Sequence, residues 1–155
     1  MAITTITYKI LRDMKTAGIL PQRPHVLELG ESNWYGDVGI EQLENDVNAF
    51  VKDDDSRKSL MGACQVCRQK LSEKPPRYEA LWELAHSFYR VFLQYDHYDA
   101  IDLGGSDKAL KLDLNNPVEL EKRYDIVIDF GTAEHVFNVY QLFKTVHEAT
   151  KPGGY

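Results

Sequence analysis

The stretch that most constrains the fold runs from Arg123 to Asn138. Residues 125–129, Asp-Ile-Val-Ile-Asp, form a short β-branched run of the kind that fills buried strands. Phe130-Gly131 interrupts this run, and from Thr132 onward apolar residues recur at helical spacing. The stretch therefore predicts a buried strand that leads directly into a helix. Its polar turn lies at the carboxyl end of the strand, where open α/β sheets bind their ligands.

Three earlier apolar runs are also predicted as strands, and helical periodicity separates the first of them from the second. The runs are Val26–Leu29, Tyr98–Leu103 and Leu110–Leu114. Strands that alternate with helices indicate an α/β fold with a parallel sheet, for which we predict the strand order 3-2-1-4. The excess of helix between the first two strands predicts a helical insert at about residues 40–95. The whole chain, 1–155, is predicted to be a single domain.

Helical spacing also predicts which side chains are buried. Cys64 and Cys67 lie on the apolar stripe of one helix, and an N-terminal helix has a stripe made of Ile3, Ile6, Ile10 and Met14, with Leu11 beside them. Two cysteines three residues apart on such a stripe are typical of a helix core, and they supply only half of a structural zinc site. We therefore expect no metal.

Charge and hydropathy exclude several classes of partner. The 18 basic and 24 acidic residues give a net charge of −6, and no Lys/Arg cluster is present that would fit a nucleic-acid backbone. No apolar run reaches the roughly 20 residues of a membrane-spanning helix. The N-terminus also has no signal-peptide pattern. We expect a cytoplasmic protein that binds neither nucleic acid nor membranes.

Each predicted strand carries a carboxylate at or near its carboxyl end, and this favours one kind of ligand. The carboxylates are Glu28, Asp102, Asp113 and Asp129. A dinucleotide would bring an anionic pyrophosphate, which requires a glycine-rich turn. Here Gly30 is followed by Glu31, and no GxGxxG is present. A ligand with amino groups, a ribose diol and a positive centre is therefore a better match.

Five segments together resemble the ordered motifs of class I S-adenosylmethionine-dependent methyltransferases. They are Val26-Leu-Glu-Leu-Gly30, Asp102, Asp113-Leu114, Tyr124-Asp-Ile-Val-Ile-Asp-Phe-Gly-Thr-Ala-Glu-His-Val136 and Thr150-Lys-Pro-Gly-Gly154. The resemblance implies a three-layer Rossmann-like sandwich and S-adenosylmethionine as the methyl donor. It also implies a fifth strand after the last motif. Because the sequence stops at Tyr155, we expect a truncated domain whose fourth strand is an apolar edge open to homo-oligomer formation.

The resemblance assigns a role to each matching residue. Glu28 would anchor the first turn near the methionine part of the donor, and Gly30 would let the backbone approach it. Asp102 would accept the ribose hydroxyls, Asp113 and Leu114 would hold adenine, and Phe130-Gly131 would face the sulfonium. An acidic residue that caps nearby backbone amides is the structural alternative for each carboxylate.

Catalysis, if present, would depend on the turn after the fourth strand. His135 could act as a general base because its reference pKa of about 6.5 suits proton removal, and Glu134 is a second candidate. Both also fit the first turn of a helix without any catalytic role.

The sequence therefore predicts methyl transfer to a small-molecule or sugar-like acceptor. A non-catalytic binding or assembly module with the same fold is the alternative, and a nicotinamide-dinucleotide domain is a weaker one.

Overall fold

A computed structural model describes residues 2–155. In chain order its elements are β1 (Ala2–Ile3), α1 (Thr5–Thr16), β2 (His25–Leu29), β3 (Asn33–Trp34), α2 (Ile40–Phe50), α3 (Asp54–Ser72), α4 (Glu79–Leu93), β4 (His97–Ile101), β5 (Ile126–Asp129), a 3₁₀ turn (Ala133–His135) and α5 (Val139–Ala149). The chain divides into two compact units. The sheet unit comprises residues 21–32 and 95–155, and the helical unit comprises residues 2–20 and 33–94.

The sheet unit is built on three parallel strands in the order β4-β2-β5. The central strand β2 pairs with β4 along its whole length and with β5 from Val26↔Ile126 to Leu29↔Asp129. The α/β class and the parallel pairing predicted from the sequence are therefore confirmed. All three strands run in the same direction, so their carboxyl ends meet at one edge of the sheet.

The predicted third strand, Leu110–Leu114, does not form as a strand. It is reduced to one parallel bridge, Ile101↔Leu110. The chain turns at once, because the Leu112 N–H donates to the Leu110 carbonyl at 2.9 Å. An extended apolar pattern therefore could not predict this departure from the sheet.

One face of the sheet packs against α5. The cluster there combines side chains from the strands, the following loop and the helix, namely Leu27, Leu29, Ile101, Leu114, Tyr124, Leu142 and Ala149. Since side chains alternate along a strand, Leu27 and Leu29 face this cluster and Glu28 faces the opposite side of the sheet. This alternation is what places a carboxylate inside the protein at the end of the central strand.

The helix after β5 begins seven residues later than Thr132, the residue at which the apolar spacing predicts its start. The segment first forms the 3₁₀ turn, and α5 starts only at Val139. Asn138 is the N-cap, and its side chain accepts from the Gln141 N–H at 3.2 Å. The predicted start is wrong because the capping side chain, which fixes a helix boundary, lies inside the apolar pattern.

The outer edge of β5 is partly paired by the chain itself. The Tyr155 N–H donates to the Asp125 carbonyl at 3.0 Å, and the Val127 N–H donates to the Tyr155 carbonyl at 2.9 Å. The expectation of an unpaired edge is therefore wrong for these two positions. Homo-oligomer formation through the rest of the edge stays a prediction.

The helical unit contains α1 to α4 and a two-stranded parallel sheet of β1 and β3. The predicted apolar stripe is confirmed at Ile3 and Leu11, which are buried, but it is wrong at Ile6 and Ile10, which are exposed. Tyr8 is buried instead. Tyr8 turns inward because its hydroxyl donates to buried Asp46 at 2.7 Å. Its ring also packs against aromatic side chains of α4.

The two cysteines are buried on α3, as predicted. Burial raises the pKa of Cys64 to about 11 and that of Cys67 to about 12, so both thiols stay protonated at neutral pH. Within residues 2–155, no group of three or more His, Cys, Asp or Glu side chains is placed to hold a metal ion. Nor is any helix in that range long and apolar enough to cross a membrane.

Candidate functional site

The carboxyl ends of β2 and β4 are joined through the turn that follows β2. Gly30 adopts φ +77°, a conformation that glycine reaches without steric cost, and its N–H donates to the Ile101 carbonyl at 2.7 Å. Glu31 and Ser32, which follow it, are both buried. The chain therefore turns sharply here and stays close to the neighbouring strand.

Asp102 connects this turn to the one that follows β4. Its Oδ2 accepts from the Glu31 N–H at 2.9 Å, and its Oδ1 accepts from the Gly104 N–H at 2.7 Å. The carboxylate is half-buried. A carboxylate has about four acceptor positions, so these two bonds leave room for further donors from a ligand.

Glu31 closes the same pair of turns from the other side. Its carboxylate accepts from the Ser106 N–H at 2.5 Å and from the Ser106 hydroxyl at 2.8 Å. Sequence reasoning treated Glu31 only as a charge that repels a pyrophosphate and did not predict this contact. The partners lie 75 residues apart, and no local pattern indicates such a pair.

Glu28 is fully buried and holds the turn after β2 from within. Its carboxylate accepts from the Ser32 hydroxyl at 2.5 Å, from the Ser32 N–H at 3.1 Å and from the Tyr98 hydroxyl. These bonds hold the turn, as the structural alternative for a strand-end carboxylate would, and the anchoring of a donor molecule that the resemblance implies for Glu28 stays a prediction. A direct contact with a ligand stays a prediction.

Asp113 forms a tight turn of its own. Its Oδ1 accepts from the backbone and side-chain amides of Asn115 at 2.9 and 2.8 Å, and its Oδ2 accepts from Asn116 at 2.9 Å. These bonds, the backbone one first, hold the pKa of Asp113 below its ordinary value. The side chain of Leu114 is buried in the core beneath, so only its backbone could contact adenine.

The Asp113 turn is fastened to the start of α5. The Asn138 N–H donates to Oδ1 of Asn115 at 2.9 Å, and the Asn138 side-chain amide donates to the Asn115 carbonyl at 3.1 Å. The loop before β5 and the helix after it are therefore held together at the same end of the sheet.

The Phe130-Gly131 turn after β5 is organised by Asp129. Its Oδ1 accepts from the N–H groups of Gly131 and Thr132 at 3.1 and 2.8 Å, and its Oδ2 accepts from Ala133 at 3.2 Å. The Thr132 hydroxyl donates to the Leu29 carbonyl at 2.7 Å and ties this turn to β2. This is the backbone-capping role that the sequence analysis gives as the structural alternative for each strand-end carboxylate.

Glu134 and His135 lie in the 3₁₀ turn that follows and are exposed. In the part of the chain that the structure describes, neither side chain has a hydrogen bond or an ion pair. A general base is ordinarily oriented by a second group. The geometry therefore gives no support to His135 beyond its position at this end of the sheet.

Four turns thus meet at the carboxyl end of the sheet and present an acidic rim. Among nearby basic side chains, Lys111 donates to the Gly105 carbonyl at 2.6 Å. Lys122 and Arg123 precede β5 and so lie toward the opposite end of that strand. An acidic rim with backbone groups of close turns can accept hydrogen bonds from hydroxyl and amino groups, and it favours a positive ligand over an anion.

Comparison with family models, with curated proteins and with solved structures finds no match to this chain. The assignment of function therefore depends on the sequence motifs and on the geometry of the rim.

Proposed function

We propose that this protein binds S-adenosylmethionine at the carboxyl end of its sheet and transfers the methyl group to a small-molecule or sugar-like acceptor. The observation that carries the proposal is the position of Asp102. Asp102 directly follows β4, the strand beside the central one, and its carboxylate contacts the turn after β2 while it can still accept further hydrogen bonds. The proposed fold is a three-layer Rossmann-like sandwich in which the segment after Ile101 takes the place of the third strand.

The residues present fit this donor in chemical terms. S-adenosylmethionine supplies an electrophilic methyl group on a sulfonium and presents a ribose diol and an adenine. Asp102 accepts hydrogen bonds from the diol, and Gly30 allows close approach of the backbone at its left-handed φ. The turn at Asp113 and Leu114 borders adenine, while Phe130 and Gly131 border the sulfonium side.

The protein's contribution to the reaction is mainly orientation of the two reactants. Glu28 holds the first turn in place from inside the sheet. His135, or Glu134 beside it, takes the proton that an acceptor hydroxyl or amine loses. Both are exposed, so the acceptor itself must orient them.

Isothermal titration calorimetry with S-adenosylmethionine and S-adenosylhomocysteine tests the proposal. We expect binding by the wild-type chain and at least about tenfold weaker binding by Asp102→Asn, which loses a charged acceptor. Glu119→Gln, which removes one exposed carboxylate elsewhere in the sheet unit, is the matched control and should bind normally. Absence of binding at millimolar ligand, with the chain folded by circular dichroism, would refute the proposal.

A non-catalytic binding module is the second candidate. It is favoured by one observation, the absence within residues 2–155 of a group that orients His135 or Glu134. Binding of S-adenosylmethionine without methyl transfer to any of a panel of hydroxyl and amine acceptors would support this alternative. A nicotinamide-dinucleotide domain is the weakest candidate, because Glu31 follows Gly30 directly and would repel a pyrophosphate. The hydrogen bond from the Ser106 hydroxyl to the Glu31 carboxylate weakens this objection only in part. A change in NADH fluorescence when NADH is mixed with the protein would support this candidate.

A further inference from the structure

The segment that leads into α5 and the first half of that helix present aromatic side chains to solvent. Phe137, Tyr140 and Phe143 are exposed by 97%, 80% and 62%, and we call these three residues the aromatic face. The opposite side of the helix buries Leu142 and Ala149 in the core. Since an aromatic side chain buries about 150–250 Å² when it is covered, the face exposes roughly 400–500 Å². This is about the size of the largest apolar patch on a typical monomeric protein, and such patches often serve as interaction sites.

The charge around the aromatic face is negative. Asp113 lies in the turn that is bonded to the start of α5, Asp129 holds the turn before it, and Glu134 is exposed. Lys122 and Arg123 precede β5, and Lys144, the lysine of α5 beside Phe143, lies 3.9 Å from the carboxylate of Glu148, which offsets its charge. An occupant of this surface is therefore expected to bring positive charge together with apolar groups.

Other occupants fit less well. A second copy of the chain, paired by two-fold symmetry, would set Glu134 and Asp129 against their own counterparts and would gain only about half of the roughly 800 Å² per partner of a stable interface. An anionic membrane surface would repel the same carboxylates.

We propose that the aromatic face and its acidic border form a docking surface for a basic segment of another protein that carries apolar side chains. The apolar side chains cover Phe137, Tyr140 and Phe143, while the basic groups lie beside Glu134 and Asp129. An area below that of a standard interface fits a transient complex. The three aromatic side chains have no role in the proposed reaction, whereas Glu134 on the border is also a candidate base there, so the variants that test this surface change only the aromatic residues.

Three synthetic decapeptides of alternating residues test the proposal: lysine with leucine, glutamate with leucine, and lysine with serine. We expect the lysine–leucine peptide to bind and to shift the backbone amide signals of residues 134–144 in NMR spectra. The other two should bind at least about tenfold more weakly, because each lacks one of the two required properties. Equal binding of all three, or amide shifts centred elsewhere, would overturn the proposal.

A double variant, Phe137→Ser with Phe143→Ser, should weaken binding of the lysine–leucine peptide by about tenfold or more. Tyr78→Ser replaces an equally exposed aromatic residue of the helical unit and should leave the affinity unchanged. Amide signals of the core residues of α5 verify that the double variant is folded. Unchanged affinity in the double variant contradicts the proposal.

Two further measurements exclude the other occupants. A wild-type dimer in sedimentation that the double variant loses would assign the face to a second copy. Binding to phosphatidylcholine–phosphatidylserine vesicles that the double variant loses would assign it to a membrane. Either result overturns the proposal, whereas S-adenosylmethionine affinity, measured separately, bears only on the proposed function.

Discussion

The two adjacent glycines after β4 give the sharpest test of how the rim is built. A Cβ atom at Gly105 would lie 2.8 Å from Oε2 of Glu31, 2.9 Å from Cβ of Asp102 and 3.1 Å from Cβ of Ala109. A Cβ at Gly104 would meet only Oδ1 of Asp102, at an ordinary 3.7 Å. Substitution by alanine should therefore destabilise the protein at Gly105 but not at Gly104.

Gly105→Ala should lower the free energy of unfolding by about 1–3 kcal/mol, the usual cost of overpacking. The Glu31 carboxylate can swing away, but the Cβ atoms of Asp102 and Ala109 are fixed to the backbone and cannot. Gly104→Ala should be neutral or should stabilise by up to about 1 kcal/mol, because it restricts only the unfolded chain. The difference between the two variants is thus expected to be about 1–4 kcal/mol.

Urea unfolding monitored by circular dichroism measures both effects, and hydrogen exchange locates them. In Gly105→Ala the Glu31 amide, which donates to Asp102, should exchange faster than in the wild type, and in Gly104→Ala it should not. S-adenosylmethionine affinity should fall in Gly105→Ala if Asp102 binds the ribose. Equal stability of the two variants would refute the close approach of the two turns on which the description of the rim depends.

Two further predictions concern contacts that hold the sheet end together. Thr132→Val should cost about 0.5–1.5 kcal/mol in urea unfolding, because it removes the hydrogen bond to the Leu29 carbonyl, and Thr132→Ser should restore most of that loss. A loss in both variants would contradict a role for the hydroxyl. The His25 N–H and then Lys151 hold the pKa of Asp125 below its ordinary value, so its contribution is present above about pH 4 and is lost as the pH falls through the lower folded pKa. Asp125→Asn should therefore flatten the loss of stability below about pH 4, and an unchanged pH profile in that range would count against this assignment.

Local sequence patterns were sufficient for the parallel strands. Val26–Leu29 and Ile126–Asp129 are β-branched or leucine-rich runs bounded by turn residues, and their burial follows directly from that composition. Leu110–Leu114 has a similar composition but leaves the sheet after one bridge, because backbone and Asx turns compete with pairing there. The spacing of apolar residues shows which residues could be buried, but it does not show whether turns will compete with strand pairing.

Helix boundaries and buried faces were harder to predict where a single polar contact decided them. Asn138, within an apolar pattern, moved the start of α5, and the hydrogen bond between Tyr8 and Asp46 turned α1 so that Ile6 and Ile10 face outward. The contact on α1 joins residues 38 positions apart. Helical spacing of apolar residues does not take hydrogen bonds into account, so it does not predict that a tyrosine whose hydroxyl has a buried partner will be the residue that faces the core.

The carboxylates of the rim show why the site was only partly predictable. The sequence places Asp102, Asp113 and Asp129 near strand ends. It does not reveal how many hydrogen bonds each carboxylate already accepts from the protein itself. Asp129 accepts from three successive backbone amides and Asp113 from two asparagines, whereas Asp102 accepts from one amide in each of two turns. A ligand hydroxyl can add to Asp102 without displacing these bonds, but at Asp129 it would have to compete with the cap of the following turn. Acceptor capacity therefore singles out Asp102 as the carboxylate best able to bind a diol, and this is also the position at which the sequence motifs point most directly to a ligand.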